Sequence, residues 1–505
     1  MTRPIVWSIA GSDSGGGAGI QADIPAILAL GGHPATVVSA LTAQNSLGVQ
    51  AVEPTGMTLF EQQLQSLASD LPPQAVKIGL LAEPWQIRLL AEGLPDWRQR
   101  WQMPVVLDPV LVAASGDSLA ADEVIAALHD LLPAVDMVTP NVPELRALTG
   151  HACDHLHDAI EAAHTLLEQG CRSVLVKGGH GDWDTAEGQC VDALVCADTV
   201  WCLAQPRLQT PHTHGTGCTL SSAIATAMAT GHPPEDAVVM ASRYLHQGLR
   251  QAYATGAGAG TPERWQREEG SSAAHYPSWI ALPGEPAVVE SFLDCIWRPL
   301  GLYPVVPDSR WVARVLKAGA RTVQLRLKDP EHPRLREEIQ AAVQLGQQYG
   351  AQVFINDHWQ LAIELGAFGV HLGQEDLATA DLDAIRHAGL RLGLSTHGYA
   401  ELLRALALRP SYVALGHVFP TRTKTMPSQP QGLDRLRVYQ AMADRAGIPT
   451  TAIGGIKQQH LPALRACGVH SVAVVTAITE ADDPEAALRE LMAGLEGQAV
   501  EEATT

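Results

Sequence analysis

The chain has 505 residues, enough for two large domains or about three average ones. Its net charge of −20, from 34 Lys and Arg against 54 Asp and Glu, argues against nonspecific binding to nucleic acid or to an anionic membrane. No apolar run reaches the roughly 18 residues that a membrane span requires, and the apolar start is too short for a signal peptide. The eight cysteines are scattered without a CxxC pair. We therefore expect a cytoplasmic protein with small-molecule partners and neither a zinc site nor a disulfide framework.

The first half of the chain alternates between two kinds of segment. From residue 5 to about 250, short apolar runs such as IVWSIA and SVLVKGG are separated by helical stretches such as 121–132 and 157–169. This alternation is typical of an α/β fold with a mostly parallel sheet covered by helices. Residues 256–285 then become rich in Gly, Ser, Pro and charge, which predicts a linker or an irregular connection.

A second alternating series begins near residue 300. It contains eight short strand candidates, from LYPVV to SVAVVT, and helical segments such as 309–319 and 333–349 separate most of them. Eight β/α units within so short a stretch predict a compact (β/α)8 TIM barrel.

A glycine-rich turn, GSDSGGGAGIQAD, follows the first predicted strand. Gly17, Gly19 and Ala22 fit the loose G-x-G-x-x-A dinucleotide fingerprint, but the next acid after Asp23 is Glu53, which is too distant to bind the ribose of NAD. A plain tight turn is a second interpretation. The third, which we favour, is a loop whose backbone closes over a small polar substrate, with Asp23 facing that substrate.

The segment HTHGTGCTLSSAIATAMATG contains a stronger signal. Gly215, Gly217 and Cys218 lead into a long helix of small residues, and the free N–H groups at such a helix start bind anions. It is not a Walker A loop, because no Gly-Lys-Ser/Thr follows. We expect the helix dipole to lower the pKa of the Cys218 thiol. The alternative is that Cys218 is simply a buried residue at a helix start.

Seven segments of the first half carry a resemblance in their order along the chain: SGGGAGIQAD, LTAQNSLGVQ, KIGLL, LDPVLVAASGD, TPNVPE, VKGGH and HGTGCTLS. Over about residues 4–255 the chain resembles the hydroxymethylpyrimidine and hydroxymethylpyrimidine-phosphate kinases. The resemblance implies a ribokinase-like α/β sandwich and ATP as the phosphoryl donor. Most ribokinase-like sugar kinases have an Asp base where this chain has Cys218, as in the pyrimidine kinase branch.

The same resemblance implies roles for individual positions. Asp23 and Gln44 would hold the pyrimidine and its hydroxymethyl group, and Cys218 would be the candidate base. Contacts to phosphate, ATP or magnesium are implied for Asn141, Glu144, Lys177, Gly215 and Gly217. Lys77 in KIGLL also matches a family position, although a structural role is an equal alternative.

In the second half, polar residues alternate along the strand candidate TVQLRLKD. Gln324, Arg326 and Lys328 are two apart, so on a strand they share one face. Polar side chains near the carboxyl end of a barrel strand are typical of the catalytic mouth. The alternative is an outward solvent face, with the intervening apolar residues pointing into the barrel.

Two carboxylates follow neighbouring strand candidates. Asn356 and Asp357 end FIND, and Asp376 follows the next strand in VHLGQED. One or two carboxylates, water and substrate phosphate oxygens suit Mg²⁺. An ordinary capping Asp is the alternative for either residue alone.

Seven segments over about 296–495 carry a second resemblance, to thiamine-phosphate synthases: QLRLK, NDHW, GVHLGQED, GLSTH, ALGHVFPTRTKTMPSQPQG, AIGGI and VAVVTAIT. It implies that the pyrimidine diphosphate binds Gln324, Arg326, Lys328, Asn356, Ser395 and Lys424. It places magnesium on Asp357 and Asp376. It implies that the thiazole phosphate binds Thr421, Thr423, one of Gly454 and Gly455, and the backbone at Val475 and Thr476. Arg326 and Lys328 would be catalytic by stabilising the departing diphosphate.

Together these patterns predict a bifunctional enzyme of thiamine biosynthesis, with a kinase at 1–255, a linker at 256–295 and a synthase barrel at 296–505. The kinase would use ATP and Mg²⁺ to phosphorylate the pyrimidine alcohol twice, and the barrel would join the diphosphate to a thiazole phosphate. Two alternatives are that one half is a regulatory or noncatalytic module, or that the kinase is a broader salvage enzyme that also accepts pyridoxal. The sequence leaves open whether the chain forms a homo-oligomer.

Overall fold

The apolar runs of the first half form the strands of one mixed sheet. The computed structural model describes residues 3–111, 122–180, 183, 188–265, 273, 275–282, 290–421 and 429–497. The described residues form two compact units, one mainly before residue 270 and one after residue 287. None of the helices in these ranges is long and apolar enough to span a bilayer.

The first unit is an α/β unit in which helices pack on a ten-stranded sheet. Its strands are β1 (Ile5–Asp13), β2 (His33–Asn45), β3 (Gly48–Pro54), β4 (Ala75–Ile78), β5 (Val105–Leu107), β6 (Met137–Val138), β7 (Ser173–Val176), β8 (Gln189–Cys196), β9 (Val200–Pro206) and β10 (Ser278–Ile280). Its helices are α1 (Gly19–Ala29), α2 (Met57–Asp70), α3 (Pro84–Trp101), α4 (Asp122–Leu131), α5 (Val142–Thr149), α6 (Leu156–Glu168), α7 (Thr216–Ala229) and α8 (Pro234–Arg250).

The strand order of this sheet is β10-β9-β8-β7-β6-β5-β4-β1-β2-β3. The six neighbouring strands β7, β6, β5, β4, β1 and β2 run parallel to one another. β3 is antiparallel to β2, and each of β8, β9 and β10 is antiparallel to the strand before it. β1 lies between β2 and β4: the chain continues from β1 to β2 and β3 on one side and then crosses to β4 on the other, so the strand order reverses at β1. Open α/β sheets bind ligands at the carboxyl ends of strands beside such a reversal. The glycine-rich turn after β1 therefore lies where a ligand crevice is expected.

The second unit is a closed barrel of eight parallel strands. They are β11 (Leu302–Val306), β12 (Thr322–Leu325), β13 (Gln352–Asn356), β14 (Gly369–Leu372), β15 (Arg391–Thr396), β16 (Tyr412–Gly416), β17 (Thr450–Ile453) and β18 (Val472–Val474). The helices are α9 (Ser309–Lys317), α10 (Leu335–Tyr349), α11 (Trp359–Glu364), α12 (Gln374–Leu377), α13 (Leu382–His387), α14 (Tyr399–Ala407), α15 (Gly432–Ala446), α16 (Leu461–Ala466), α17 (Thr476–Thr479) and α18 (Pro484–Glu496). The predicted α/β fold and TIM barrel are both confirmed.

The interior of the barrel is filled by large side chains rather than open. Tyr303, Phe354 and Tyr412 are fully buried there, with ring centroids 5.1–6.0 Å apart. Such aromatic packing makes the centre a solid core. Ligands are therefore confined to the loops at the end of the barrel.

Part of the predicted linker is ordered structure of the first unit. Thr261 pairs with Tyr253 in a β-bridge, Arg264 is buried, and β10 adds an antiparallel strand beside β9. The Gly- and Pro-rich composition predicts irregular backbone but cannot reveal tertiary partners. The boundaries 1–255, 256–295 and 296–505 stay predictions.

Two candidate active sites

A cavity of about 590 Å³ opens at the carboxyl ends of the central strands of the first unit. Two glycine-rich segments line it: the first glycine loop (residues 13–19, after β1) and the second glycine loop (residues 212–218, leading into α7). Gln44 lines the same cavity. The structure therefore brings together two motifs that are about 200 residues apart.

The two glycine loops touch so closely that side chains cannot be accommodated between them. Gly215 precedes α7 with φ +78°, and a Cβ there would lie 1.9 Å from the Gly17 carbonyl oxygen. A Cβ at Gly217 would lie 3.3 Å from both Asp108 Oδ2 and Lys177 Nζ. Glycine thus permits both the left-handed turn and the approach of the helix start to a charged cluster.

That cluster joins three predicted residues to one that the sequence analysis missed. Lys177 Nζ donates to Asp108 Oδ1 at 2.8 Å and lies 3.7 Å from Glu144 Oε2. Asn141 caps α5, and its side chain and that of Glu144 each accept from the other residue's backbone N–H. Asn141, Glu144, Lys177 and Asp108 all line the cavity. Asp108 is the acid of LDPVL directly after β5, a strand-end position that could have identified it.

The two acids of the cluster have opposite pKa shifts. Burial raises the pKa of Glu144, and although Lys177 opposes this, the Asp108 charge adds to it and the pKa is about 7. Burial also disfavours the charged form of Asp108, but Lys177 and Lys77 outweigh it and hold the pKa of Asp108 below its usual value. The cluster thus contains a carboxylate that lacks full compensation by cations.

Asp23 is not among the residues that line the cavity, and its predicted contact with substrate stays a prediction. The side chain is fully buried. Its Oδ1 accepts from Lys77 Nζ at 3.0 Å and Ser222 Oγ at 2.8 Å, and its Oδ2 accepts from Lys77 Nζ at 2.9 Å and Ser8 Oγ at 2.6 Å. Four hydrogen bonds from three donor groups saturate both oxygens. Asp23 on α1 and Lys77 on β4 therefore form a buried ion pair that ties α1 to the sheet, and Ser222 joins α7 to this pair.

Asp13, ten residues earlier, lines the cavity instead. Its carboxylate accepts backbone N–H groups from Gly15, Gly17 and Ala18 at 2.7–2.9 Å and lies 3.1 Å from His214 Nε2. Burial opposes ionisation, but the hydrogen bonds from His214 and the loop backbone lower the pKa of Asp13. Asp13 therefore organises the first glycine loop and joins it to the second. His214 in turn lies 3.3 Å from Gln44 Nε2.

The predicted activation of Cys218 by the helix dipole is wrong. Burial raises the pKa of the Cys218 thiol to about 11; the charge of Lys77 opposes this, and the charges of Asp23 and Asp108 add to it. Cys218 does line the cavity, in the first turn of α7. In the free protein it is a neutral thiol at pH 7.

The second candidate site lies where the strands of the barrel end. Gln324 Nε2 donates to Asn356 Oδ1 at 2.6 Å, and Asn356 Nδ2 donates to Asp357. Asp357 has φ +64°, an unusual backbone conformation for a residue other than glycine. Burial raises the pKa of Asp357 to about 6, and the neighbouring Asp376 adds to this. The two predicted magnesium ligands therefore lie together as a carboxylate pair of like charge.

The cations of this site follow β12. The strand ends at Leu325, so Arg326 and Lys328 belong to the loop after it. Gln324 is buried, Arg326 is half-buried and Lys328 is exposed. Burial lowers the pKa of Arg326, while the charge of Asp357 raises it, which shows that the guanidinium lies near the carboxylate pair.

Ser395 is the first member of a chain of hydrogen-bonded side chains that the sequence analysis missed. Its Oγ lies 2.8 Å from His371 Nε2, His371 Nδ1 lies 2.8 Å from Tyr412 Oη, and Tyr412 Oη lies 2.7 Å from Tyr303 Oη. Burial lowers the pKa of His371 to about 3, so its ring is neutral. His371 is the histidine of GVHLG, but its apolar strand context gave no hint of this role.

The predicted phosphate-binding residues form tight turns. Gly454 and Gly455 have φ +101° and +64°, and a Cβ on either would lie 2.4 Å from a neighbouring atom, of His417 and Pro420 respectively. Val475 and Thr476 mark the start of α17. Thr421 is described, whereas Thr423 and Lys424 lie outside the described residues.

Within the described ranges, no group of three or more His, Cys, Asp or Glu side chains could hold a metal ion. Mg²⁺ bound by one or two carboxylates with water and substrate phosphates needs no such group. The paired acids Asp357 and Asp376 fit that donor set, because a cation would relieve their mutual repulsion.

Comparisons with known families agree with this two-part organisation. Residues 13–263 match the Phosphomethylpyrimidine kinase family, and residues 302–478 match the Thiamine monophosphate synthase family. The thiamine-phosphate synthase of Serratia proteamaculans is 56% identical over 199 residues, 39% of this chain and 93% of that protein. The corresponding protein of Klebsiella pneumoniae is 58% identical over 38% of this chain and 91% of its own.

Among solved structures, similarity covers about half of the chain. A phosphomethylpyrimidine kinase from Clostridium difficile is 34% identical over 48% of this chain and 98% of its own, with a TM-score of 0.42. A pyridoxal kinase from Staphylococcus aureus in complex with ADP is 26% identical over 55% and 97%, with a TM-score of 0.49.

Proposed function

The chain belongs to the phosphomethylpyrimidine kinase family in its first half and to the thiamine-phosphate synthase family in its second, and from this premise we propose how each site works. It is a bifunctional transferase of thiamine biosynthesis. The observation that carries the kinase proposal is the convergence of a glycine-rich helix start with the Lys177, Asp108 and Glu144 cluster on one cavity.

In the kinase, the hydroxymethyl oxygen of the pyrimidine attacks the γ-phosphorus of ATP while the bond from that phosphorus to the bridging oxygen breaks. ADP leaves, and a second round converts the monophosphate to the diphosphate. The backbone N–H groups at Gly215 and Gly217 and the Lys177 ammonium neutralise the transferred phosphoryl group. Gln44, beside His214 in the cavity wall, is proposed to orient the pyrimidine.

Magnesium is proposed to bind beside Asn141 and Glu144. The donor chemistry fits, because Glu144 is a buried carboxylate whose pKa is raised to about 7 and which a cation would help to ionise. Mg²⁺ would neutralise charge on the ATP phosphates.

Cys218 is proposed as the residue that accepts the proton of the attacking hydroxyl. It lies in the cavity wall at the helix start. Because its thiol is neutral at pH 7, only a small thiolate fraction could act, and that fraction would rise with pH. This role has a pH signature that distinguishes it from simple packing.

In the barrel, the bond between the pyrimidine methylene carbon and the diphosphate oxygen breaks, and the thiazole nitrogen then bonds to that carbon. The products are thiamine phosphate and diphosphate. Arg326 and Lys328 are proposed to stabilise the departing diphosphate, and Gln324, Asn356 and Ser395 to hold the pyrimidine. Lys424 is proposed to bind the pyrimidine diphosphate. The thiazole phosphate is proposed to bind Thr421, Thr423, one of Gly454 and Gly455, and the backbone at Val475 and Thr476.

Asp357 and Asp376 are proposed to hold Mg²⁺, which would neutralise charge on the diphosphate leaving group. Asn356 supports this arrangement by donating to Asp357.

A coupled assay tests the whole proposal. The full chain receives hydroxymethylpyrimidine, ATP, Mg²⁺ and thiazole phosphate, and thiamine phosphate is measured by chromatography. We expect thiamine phosphate only when all four compounds are present. Added pyrimidine diphosphate should make both hydroxymethylpyrimidine and ATP unnecessary for product formation. If added pyrimidine diphosphate gives no thiamine phosphate, the proposed synthase activity is contradicted. If the diphosphate gives product but hydroxymethylpyrimidine with ATP does not, the proposed kinase activity is contradicted.

A further inference from the structure

The segment at residues 253–264, which we call the strap, closes over both glycine loops of the kinase cavity. Gly258 N donates to Ser46 Oγ at 3.1 Å, and Gly260 N donates to His212 Nδ1 at 3.1 Å. The Gly260 carbonyl accepts from His214 N at 3.0 Å. Most of the strap lies in the segment that composition predicts as a linker, so these contacts give it a role in the site.

At the end of the strap, the Arg264 side chain binds both glycine loops and α7. Its Nη2 donates to the Gly17 carbonyl at 2.7 Å and to the His214 carbonyl at 3.2 Å, and its Nε donates to Thr219 Oγ1 at 2.8 Å. Arg264 is 6% exposed. A buried guanidinium with three partners on three segments is fixed in position by the planar geometry of its donors.

These bonds set the direction of peptide groups that face the cavity. In a trans peptide, the C=O and the following N–H point in opposite directions. Because the His214 carbonyl is turned toward Arg264, the Gly215 N–H is turned away from it. The Gly17–Ala18 peptide shows the same division, since its carbonyl binds Arg264 while its N–H donates to Asp13.

We propose that Arg264 is a positioning residue for phosphoryl transfer, which aligns the two glycine loops and directs the Gly215 N–H toward the transferred phosphate. The inference rests on the proposed kinase function of this cavity. The guanidinium also places a positive charge behind the anion-binding helix start in a chain with a net charge of −20. Arg264 acts through the backbone and does not itself contact substrate.

Two substitutions test this role in the full chain. We expect Arg264→Ala to lower the kinase kcat by about 10- to 100-fold and to raise the KM for ATP, because three hydrogen bonds from a buried cation are lost. Arg264→Lys should restore only part of the rate, since an ammonium cannot span the three acceptors. Arg250→Ala, an exposed arginine at the end of α8, is the matched control and should retain wild-type rates.

The second half of the chain provides an internal control. Synthesis of thiamine phosphate from added pyrimidine diphosphate should be unchanged in every Arg264 variant. Addition of guanidinium ion, at concentrations too low to denature, should restore kinase kcat to Arg264→Ala, whereas neutral urea at the same concentration should not. Such rescue requires a folded site that lacks only the cation.

Two results would overturn the proposal: a kinase kcat within about twofold of wild type in Arg264→Ala, or a loss that matches the unfolded fraction of the first unit by circular dichroism and resists guanidinium. A wild-type chain that phosphorylates no hydroxymethylpyrimidine would instead contradict the proposed kinase function.

Discussion

The two candidate sites place their charges in different ways. In the kinase cavity, each of two lysines is paired with a buried acid: Lys77 Nζ lies 2.9 Å from Asp23 Oδ2, and Lys177 Nζ lies 2.8 Å from Asp108 Oδ1. At the barrel mouth, two acids lie together, and Arg326 lies in the loop after β12. In the kinase site both lysines are thus already paired with acids and Glu144 is left incompletely compensated, while the barrel site has a pair of acids that needs a cation. Independent chemistry at the two sites should make them separable by mutation.

The largest effect should come from the acid pair. We expect Asp357→Ala to lower synthase kcat/KM by about 1,000-fold or more, because it removes several kcal/mol of charge stabilisation at the leaving diphosphate. The kinase should continue, so pyrimidine diphosphate accumulates and is measured by anion-exchange chromatography. Asp434→Ala, at an exposed acid on α15, is the control and should behave like wild type. Loss of both activities in Asp357→Ala would contradict independent sites.

The opposite separation is expected from Cys218. Cys218→Ala should lower kinase kcat by about 100-fold, as for loss of a general base, while added pyrimidine diphosphate is still converted. Because the pKa of the Cys218 thiol is raised to about 11, its thiolate fraction is small at pH 7 and increases with pH. The wild-type kinase kcat should therefore rise between pH 7 and 10, and that of Cys218→Ala should not. A wild-type rate independent of pH over this range would exclude the thiolate as base.

A smaller effect is expected in the hydrogen-bonded chain inside the barrel. His371→Phe leaves the Ser395 and Tyr412 hydroxyls without their ring partner, and we expect synthase kcat to fall by about tenfold. Since the pKa of His371 is about 3, the wild-type rate should show no imidazole titration near pH 6.5. Tyr303→Phe removes only the far end of the chain and should cost less. Equal losses in the two variants would point to a general packing defect.

The smallest contrast concerns the alcohol that the kinase accepts. We expect its kcat/KM for pyridoxal to be below that for hydroxymethylpyrimidine, and steady-state assays of the two alcohols check this. A pyridoxal value equal to or above the pyrimidine value would favour the broader salvage kinase.

Short motifs predict most of the residues proposed for both sites, because glycine-rich helix starts and acids at strand ends have direct local signatures. Three features escaped that reasoning. Asp13 and Asp23 both flank the same glycines, and the sequence could not show which one the fold places at the cavity. Asp108 lies in a recognised motif, yet its contact with Lys177 joins positions 69 residues apart. His371 lies on an apolar strand, and its hydrogen-bond partners, Ser395 and Tyr412, lie on the next two strands of the barrel.

The sequence by itself determined the two alternating patterns, the two families and the positions of glycine loops and strand-end acids, because these depend on local periodicity and backbone freedom. Tertiary structure decided the ionisation of the residues. Burial and neighbouring charges make Cys218 a neutral thiol, give Asp357 a raised pKa and pair Asp23 with Lys77. It also decided that part of a Gly-rich segment binds the kinase site through Arg264. Desolvation and long-range contacts depend on distances in space, which the order of residues does not state.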